Sequence, residues 1–155
     1  MIKGQCLCGG IQYQYDEEIT ELAICHCNQC KRAQGTPFVT NAPILWKHFT
    51  ILTGASLQKA FMASKNKRRV FCSNCGSPLF SQRIDRPDAI RLRVGTVTEG
   101  RIPKPDYHIH HDSKACLLYT SDAADDSLRV DPCGRRIIKK CFCVFFHLLS
   151  ICVFV

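Results

Sequence analysis

An all-β domain of short strands, organised around clustered cysteines, is the fold this sequence predicts. Three observations carry the expectation. Apolar and polar residues alternate over short stretches bounded by turn residues, and no window sustains a helical period beyond about three turns. The third is cysteine usage: twelve in 155 residues, seven of them at or before position 75. In order along the chain, residues 10–15 set Ile11, Tyr13 and Tyr15 against Gln12 and Gln14, a strand with one wet face. Asp16-Glu17-Glu18 then turns the chain, and Leu22-Ala23-Ile24 leads into the second cysteine cluster as a short strand. Residues 38–43 are expected as a strand stopped by Pro43. Residues 49–54, 69–71, 78–82 and 89–95 fit the same mould, and Trp46, Phe49 and Phe61 are expected in the core.

Composition excludes a disordered or collagen-like chain, with 46% of residues in the hydrophobic set and 22% charged. A net charge of +8 permits an anionic partner without demanding one. Met1-Ile2-Lys3-Gly4-Gln5-Cys6 does not resemble a signal peptide, so a cytoplasmic, reducing setting is expected. Clustered thiols in such a setting bind metal or do chemistry more often than they form disulfides.

The composition changes near residue 115. Cys116-Leu117-Leu118-Tyr119-Thr120-Ser121-Asp122-Ala123-Ala124-Asp125 can be written TGT CTC TTA TAC ACA TCT GAC GCT GCC GAC, which matches a transposon-based sequencing-library adapter. Arg135-Arg136-Ile137-Ile138-Lys139-Lys140 fits the rest of that adapter, in the right order and spacing. Residues 116–155 are therefore read as an adapter-derived tail and not as a domain. The closing apolar run, residues 141–155, contains His147 and Ser150 and falls short of the roughly 20 apolar residues of a spanning helix, so no membrane role is expected. Residues 1–115 alone hold 16 Lys and Arg against 9 Asp and Glu, and seven cysteines.

Those seven form three clusters: Cys6-x-Cys8-Gly9-Gly10, Cys25-His26-Cys27-x-x-Cys30 and Cys72-x-x-Cys75-Gly76. In Cys-x-x-Cys the chain turns tightly enough for both sulfurs to reach one ion, and the following glycine permits the positive φ of the turn. Tetrahedral thiolate coordination suits zinc best, with iron–sulfur as the competitor. Seven thiols make one closed four-sulfur site with three left over. Three protein ligands and an open fourth position are the usual arrangement of a catalytic zinc. Cys25, Cys27 and Cys30 are the natural open trio, which leaves Cys6, Cys8, Cys72 and Cys75 to close a structural site. Spacing alone leaves this partition open, since His26 or His108 could fill the fourth position. His26 between two ligands is expected to face solvent, with an acid–base role as the sharper alternative.

The motifs resemble a known family. Gly4-Gln5-Cys6-Leu7-Cys8-Gly9-Gly10 is similar to its opening, and Cys25-His26-Cys27-Asn28-Gln29-Cys30-Lys31-Arg32 with Gly35 and Phe38 to its middle motif. Ser64 and then Arg69-Val70-Phe71-Cys72-Ser73-Asn74-Cys75-Gly76-Ser77-Pro78-Leu79-Phe80 resemble its third. The family is the glutathione-dependent formaldehyde-activating enzymes, which includes the centromere protein V relatives. The resemblance spans residues 3–115, after which the adapter-like tail replaces the family's last segment. It implies a β-tent fold of small antiparallel sheets around two zinc ions. Cys6, Cys8, Cys72 and Cys75 match the structural ligands, and Cys25, Cys27 and Cys30 those of the second zinc, tied to activity. The implied reaction joins glutathione and formaldehyde as S-hydroxymethylglutathione, or cleaves it, which is carbon–sulfur lyase chemistry.

Glutathione carries two carboxylates, so basic neighbours should help, and Lys31 and Arg32 directly after the trio are the expected contacts. The alternative is a non-catalytic, zinc-stabilised module that contacts nucleic acid or protein through Lys65, Lys67, Arg68 and Arg69. No interleaved aromatics form a stacking platform there, so nucleic acid is not the expected partner. A solvated hairpin tip is the simpler reading of that run.

Overall fold

The computed structural model of the protein describes residues 1–118. The chain divides into two units, Met1–Ala115 and Cys116–Val155. Apart from a 3-10 turn at Cys116–Leu118, the tail expected from the adapter match lies outside the described residues.

The first unit is built from strands, as the alternation predicts. Its elements are β1 (Ile2–Gln5), β2 (Gln12–Tyr15), β3 (Ala23–Cys25), α1 (Asn28–Gln34), β4 (Val39–Leu45), β5 (Phe49–Thr53), β6 (Gln58–Ser64), β7 (Lys67–Cys72), β8 (Pro78–Arg83), β9 (Ala89–Arg93), β10 (Val97–Glu99) and β11 (Tyr107–Ile109). One sheet has the order β10-β1-β2-β5, and a larger one the order β11-β3-β4-β9-β8-β7-β6. Every pairing is antiparallel except β11 on β3. Among the described residues no helix is long and apolar enough to cross a membrane.

The larger sheet has two chemically different faces, and its register shows how. Val70, Phe80, Leu92 and Ala42 form one cross-strand row, and with Ile44 and Ile90 they enter the apolar core. The core's other half is Ile2, Ile11, Tyr13, Tyr15 and Phe49 from the smaller sheet. Tyr13, Ile11 and Tyr15 are buried while Gln12 is exposed, the alternation that the sequence displays. The opposite row runs Arg69, Ser81, Arg91, Pro43, with Lys67 paired to Arg83 and Asn41 to Arg93 beside it. A period of two therefore places Lys67, Arg69, Arg83, Arg91 and Arg93 together on the face away from the core, while Arg68 falls on the Val70 side.

Some expectations need correction. Pro43 does not stop its strand: β4 continues to Leu45. β3 pairs with β4 only up to Asn41, so one edge of β4 is open at the proline and no ladder bond is lost there. Phe49 is core, but Phe61 is 63% exposed and Trp46 38%. Phe61 sits on β6, the last strand of its sheet, and Trp46 in a 3-10 turn covers Phe49 and Phe80 from outside, its ring 5.6 and 5.7 Å from theirs. Strand β6 itself carries no alternation because nearly all its residues are exposed; pairing with β7 is what makes it a strand.

Candidate metal centres

Cys6 and Cys8 lie on the β1–β2 turn, Cys72 ends β7 and Cys75 lies on the β7–β8 turn. A glycine N–H closes each turn, three residues after Cys6 and four after Cys72. Gly9 N–H donates to the Cys6 carbonyl at 2.9 Å and Gly76 N–H to the Cys72 carbonyl at 2.9 Å. Gly9 and Gly76 have φ of 70° and 74°, a region that favours glycine. The two turns belong to different sheets, so the four sulfurs clasp one sheet to the other. Their Sγ atoms all lie within 4.8 Å of one another, with Cys6–Cys8 at 3.4 Å and Cys8–Cys72 at 3.9 Å. Tetrahedral zinc with thiolates at about 2.3 Å sets sulfurs about 3.8 Å apart, so the donor set and spacing fit that ion.

The environment already favours thiolate at part of this cluster. Ser77 accepts a hydrogen bond from Leu7 N–H at 2.9 Å, and its oxygen lies 3.3 Å from Cys75 Sγ. Its hydroxyl proton is free to face that sulfur, and this contact with Ser77 leads in drawing the Cys75 pKa down to about 5. Asn74 leads in lowering Cys8, while burial pushes Cys6 up to about 11.

The second cluster is local. Cys25 ends β3, Cys27 is the N-cap of α1, and Cys30 lies in the helix's first turn. Cys30 N–H donates to Cys27 Sγ at 3.3 Å, and the three sulfurs lie within 4.8 Å of one another. Three thiols with no fourth protein donor among the described residues can hold an ion and leave one position open. Neither His26 nor His108 joins this group. His26 is buried, not solvent-facing as expected: its Nε2 is 2.8 Å from His108 Nδ1, and their rings stack at 5.1 Å. It follows β3 just where His26 N–H docks on the Ile109 carbonyl at 3.0 Å, which draws the ring inside. Burial, then His108, holds its pKa below the ordinary value.

Two guanidinium groups attend the trio. Arg69 Nη2 lies 3.6 Å from Cys30 Sγ, and Arg93, 2% exposed, donates to Ser81 Oγ at 3.5 Å. Burial pushes the Cys30 thiol up, but the Arg69 contact and the neighbouring sulfurs outweigh it and bring the pKa to about 7. Burial of Cys25 drives it to about 12. A cavity of about 430 Å³ opens beside the trio. Its lining includes Cys25, Cys27 and Cys30 together with Asn41, Lys67, Arg83, Arg86 and Arg91.

Lys31 and Arg32 do not line this cavity: Lys31 Nζ donates to the Ser113 carbonyl at 2.5 Å, and Arg32 is exposed on α1. The basic run is split. Lys65 is at the exposed β6–β7 tip and Arg68 binds Gln82 Oε1 at 2.9 and 2.5 Å, while Arg69 faces Cys30 and Lys67 faces the cavity. Burial, and with it the neighbouring guanidinium groups, holds Lys67 below the ordinary lysine range. Arg91, Arg93 and Asn41 were not foreseen as site residues. The signal was the alternation of residues 89–95, which puts Arg91 and Arg93 on the face opposite Ile90 and Leu92.

A two-sheet β domain with one four-thiol and one three-thiol cluster defines a class: small β proteins built round cysteine centres able to hold metal. Residues 1–113 match the sequence profile of the glutathione-dependent formaldehyde-activating enzymes, and the chain belongs to that family. Over 82 residues it is 30% identical to an uncharacterized lyase of Schizosaccharomyces pombe, covering 50% of this chain and 55% of that one. The chain thus spans about half the length of the curated relative it matches. A crystal structure of a Rhodobacter sphaeroides protein superposes with a TM-score of 0.54 at 21% identity, over 68% of this chain and 98% of that one, a likeness of fold.

Proposed function

We propose that residues 3–115 form a two-zinc enzyme of the cytoplasm, a carbon–sulfur lyase by reaction type, that makes and breaks the adduct of glutathione and formaldehyde. The observation that carries this reading is the difference between the clusters. Four thiols close on one another between the sheets, whereas three open onto a cavity rich in cations. Zinc at the trio would supply a Lewis acid that keeps a substrate thiol deprotonated at neutral pH. The chain's own residues do the rest. Cys25, Cys27 and Cys30 hold the ion, and Arg69 and Arg93 offset negative charge gathered on sulfur. The cavity takes the body of the thiol and keeps it oriented. In the forward direction the glutathione sulfur forms a bond to the formaldehyde carbon, and the resulting oxygen takes up the proton that the thiol lost. The reverse breaks the same carbon–sulfur bond and returns both reactants.

The test is the exchange rate between formaldehyde and its glutathione adduct, read by NMR exchange spectroscopy on the zinc-loaded full chain. Acceleration over the uncatalysed rate that disappears in Cys27→Ser is expected. An exchange rate equal to that of buffer would overturn the reading.

A further inference from the structure

The cavity beside the trio contains an imbalance that the metal chemistry does not remove. Lys67, Arg69, Arg91 and Arg93 share one face of the larger sheet. Three thiolates and a divalent cation would carry a net charge of −1, which leaves about three of those four positive charges without a counterpart. Among the described residues neither Lys67 nor Arg91 has an ion-pair partner, and Arg83 is the one cavity cation that does, bound to Asp85 at 2.8 and 2.5 Å. Like charges gathered round a hollow repel one another unless an anion enters it.

Among the described residues four buried side-chain atoms also lack a hydrogen-bond partner: His26 Nδ1, Asn41 Oδ1, Arg69 Nε and Arg93 Nη1. Asn41 and Arg93, each 2% exposed, are paired in register, and Asn41 Oδ1 and Arg93 Nη1 make no hydrogen bond. Unsatisfied buried polar atoms are costly and rare; Asn41 lines the cavity and Arg93 is its cross-strand neighbour, so the pair points to groups that a ligand satisfies. The two ask for different things. Arg93 Nη1 is a donor and takes an anionic or carbonyl oxygen. Asn41 Oδ1 is an acceptor and takes an N–H or O–H. A peptide-like molecule with carboxylates offers both, and its separated carboxylates can reach cations spread along the cavity, which one compact inorganic phosphate cannot do at once. The volume of about 430 Å³ lies in the range of small-molecule sites.

We propose that Lys67 and Arg91 are the specificity-determining residues of this site, each taking a carboxylate of a peptide-like thiol, with Asn41 accepting from its N–H groups. The assignment rests on the reading that the trio acts on glutathione, and it adds which residues recognise the molecule away from its sulfur. Recognition then survives capping of that sulfur.

The probe is S-methylglutathione, titrated into the zinc-loaded full chain by calorimetry. The wild type is expected to bind it, with affinity falling as salt rises. Lys67→Gln and Arg91→Gln should each weaken binding about tenfold or more, which corresponds to about 1.4 kcal/mol. Lys67→Arg, which keeps the charge, should restore most of it, and Arg101→Gln, an exposed arginine away from the cavity, should change nothing. Zinc content and melting temperature of each variant show that the fold is intact. No binding of the capped probe by the wild type, equal binding by the glutamine variants, or displacement of the probe by equimolar inorganic phosphate would each overturn the assignment. Exchange activity with formaldehyde separates the two claims. Probe binding that depends on Lys67 and Arg91 without accelerated exchange sustains the recognition site and refutes the enzyme; accelerated exchange with Lys67 and Arg91 irrelevant to the probe does the reverse.

Discussion

Replacing Cys72 by serine is expected to abolish the folded domain, whereas replacing Cys27 by serine should cost little stability. Cys72 is fully buried within the apolar core, and its sulfur is part of the clasp between the two sheets. A structural zinc contributes about 10–16 kcal/mol to the folding of small domains, comparable with or above the roughly 5–15 kcal/mol by which native proteins are stable. Loss of one of four ligands therefore removes a term as large as the whole margin. Cys27 is half-buried and serves locally, its sulfur accepting from Cys30 N–H at 3.3 Å as the N-cap of α1. Serine is itself a favoured N-cap, while loss of a cap altogether costs about 1 kcal/mol. Beyond the linkage free energy of the ion it releases, Cys27→Ser should then change stability by less than about 1 kcal/mol, and it should release one of two zinc equivalents. Zinc per chain by mass spectrometry and the guanidinium unfolding midpoint read both effects. A Cys27→Ser chain that unfolds as readily as Cys72→Ser, or a Cys72→Ser chain that keeps both zincs and its midpoint, would refute the division of the sulfurs into clasp and open trio.

Gly4→Ala should destabilise by about 2–4 kcal/mol in denaturant titration, from overpacking and loss of a buried hydrogen bond. The added Cβ would sit 2.2 Å from the Tyr13 ring and 2.5 Å from the Thr96 carbonyl, and Tyr13 cannot retreat without losing its 2.7 Å bond to Thr96. Phe49→Ala is expected to cost about 3–5 kcal/mol and Phe61→Ala less than about 0.5, since only the first is core; thermal melts compare the two. A chain ending at Ala115 should keep the unfolding midpoint of the full chain, because among the described residues the main apolar core lies between Ile2 and Val97. A midpoint that falls sharply on truncation would assign residues 116–155 a part in the fold.

Much of the molecule was legible without coordinates, for identifiable reasons. Alternation is a local property, so β2, β5 and β9 were visible wherever one side of a strand meets the core and the other meets water. Strands without that contrast were not. β1 is four residues with a glycine needed for contact with Tyr13, and β6 is exposed along almost its whole length. The trio was legible because Cys25, Cys27 and Cys30 are held by one strand end and one helix cap, both close in sequence. The clasp was legible in part, since each Cys-x-Cys or Cys-x-x-Cys turn is local while their meeting is not.

The sequence by itself determined the β class, the two cysteine turns with their glycines, and the family to which they belong. All of these depend on residues within a few positions of one another. Only the tertiary structure decided that Arg69, Lys67, Arg91, Arg93 and Asn41 converge on the trio, that Lys31 turns to Ser113, and that His26 stacks under His108. The physical reason is register. Which cation faces which thiol depends on how strands far apart in sequence pair, and a slip of one residue would exchange Arg91 and Arg93 with Ile90 and Leu92 between the two faces of the sheet.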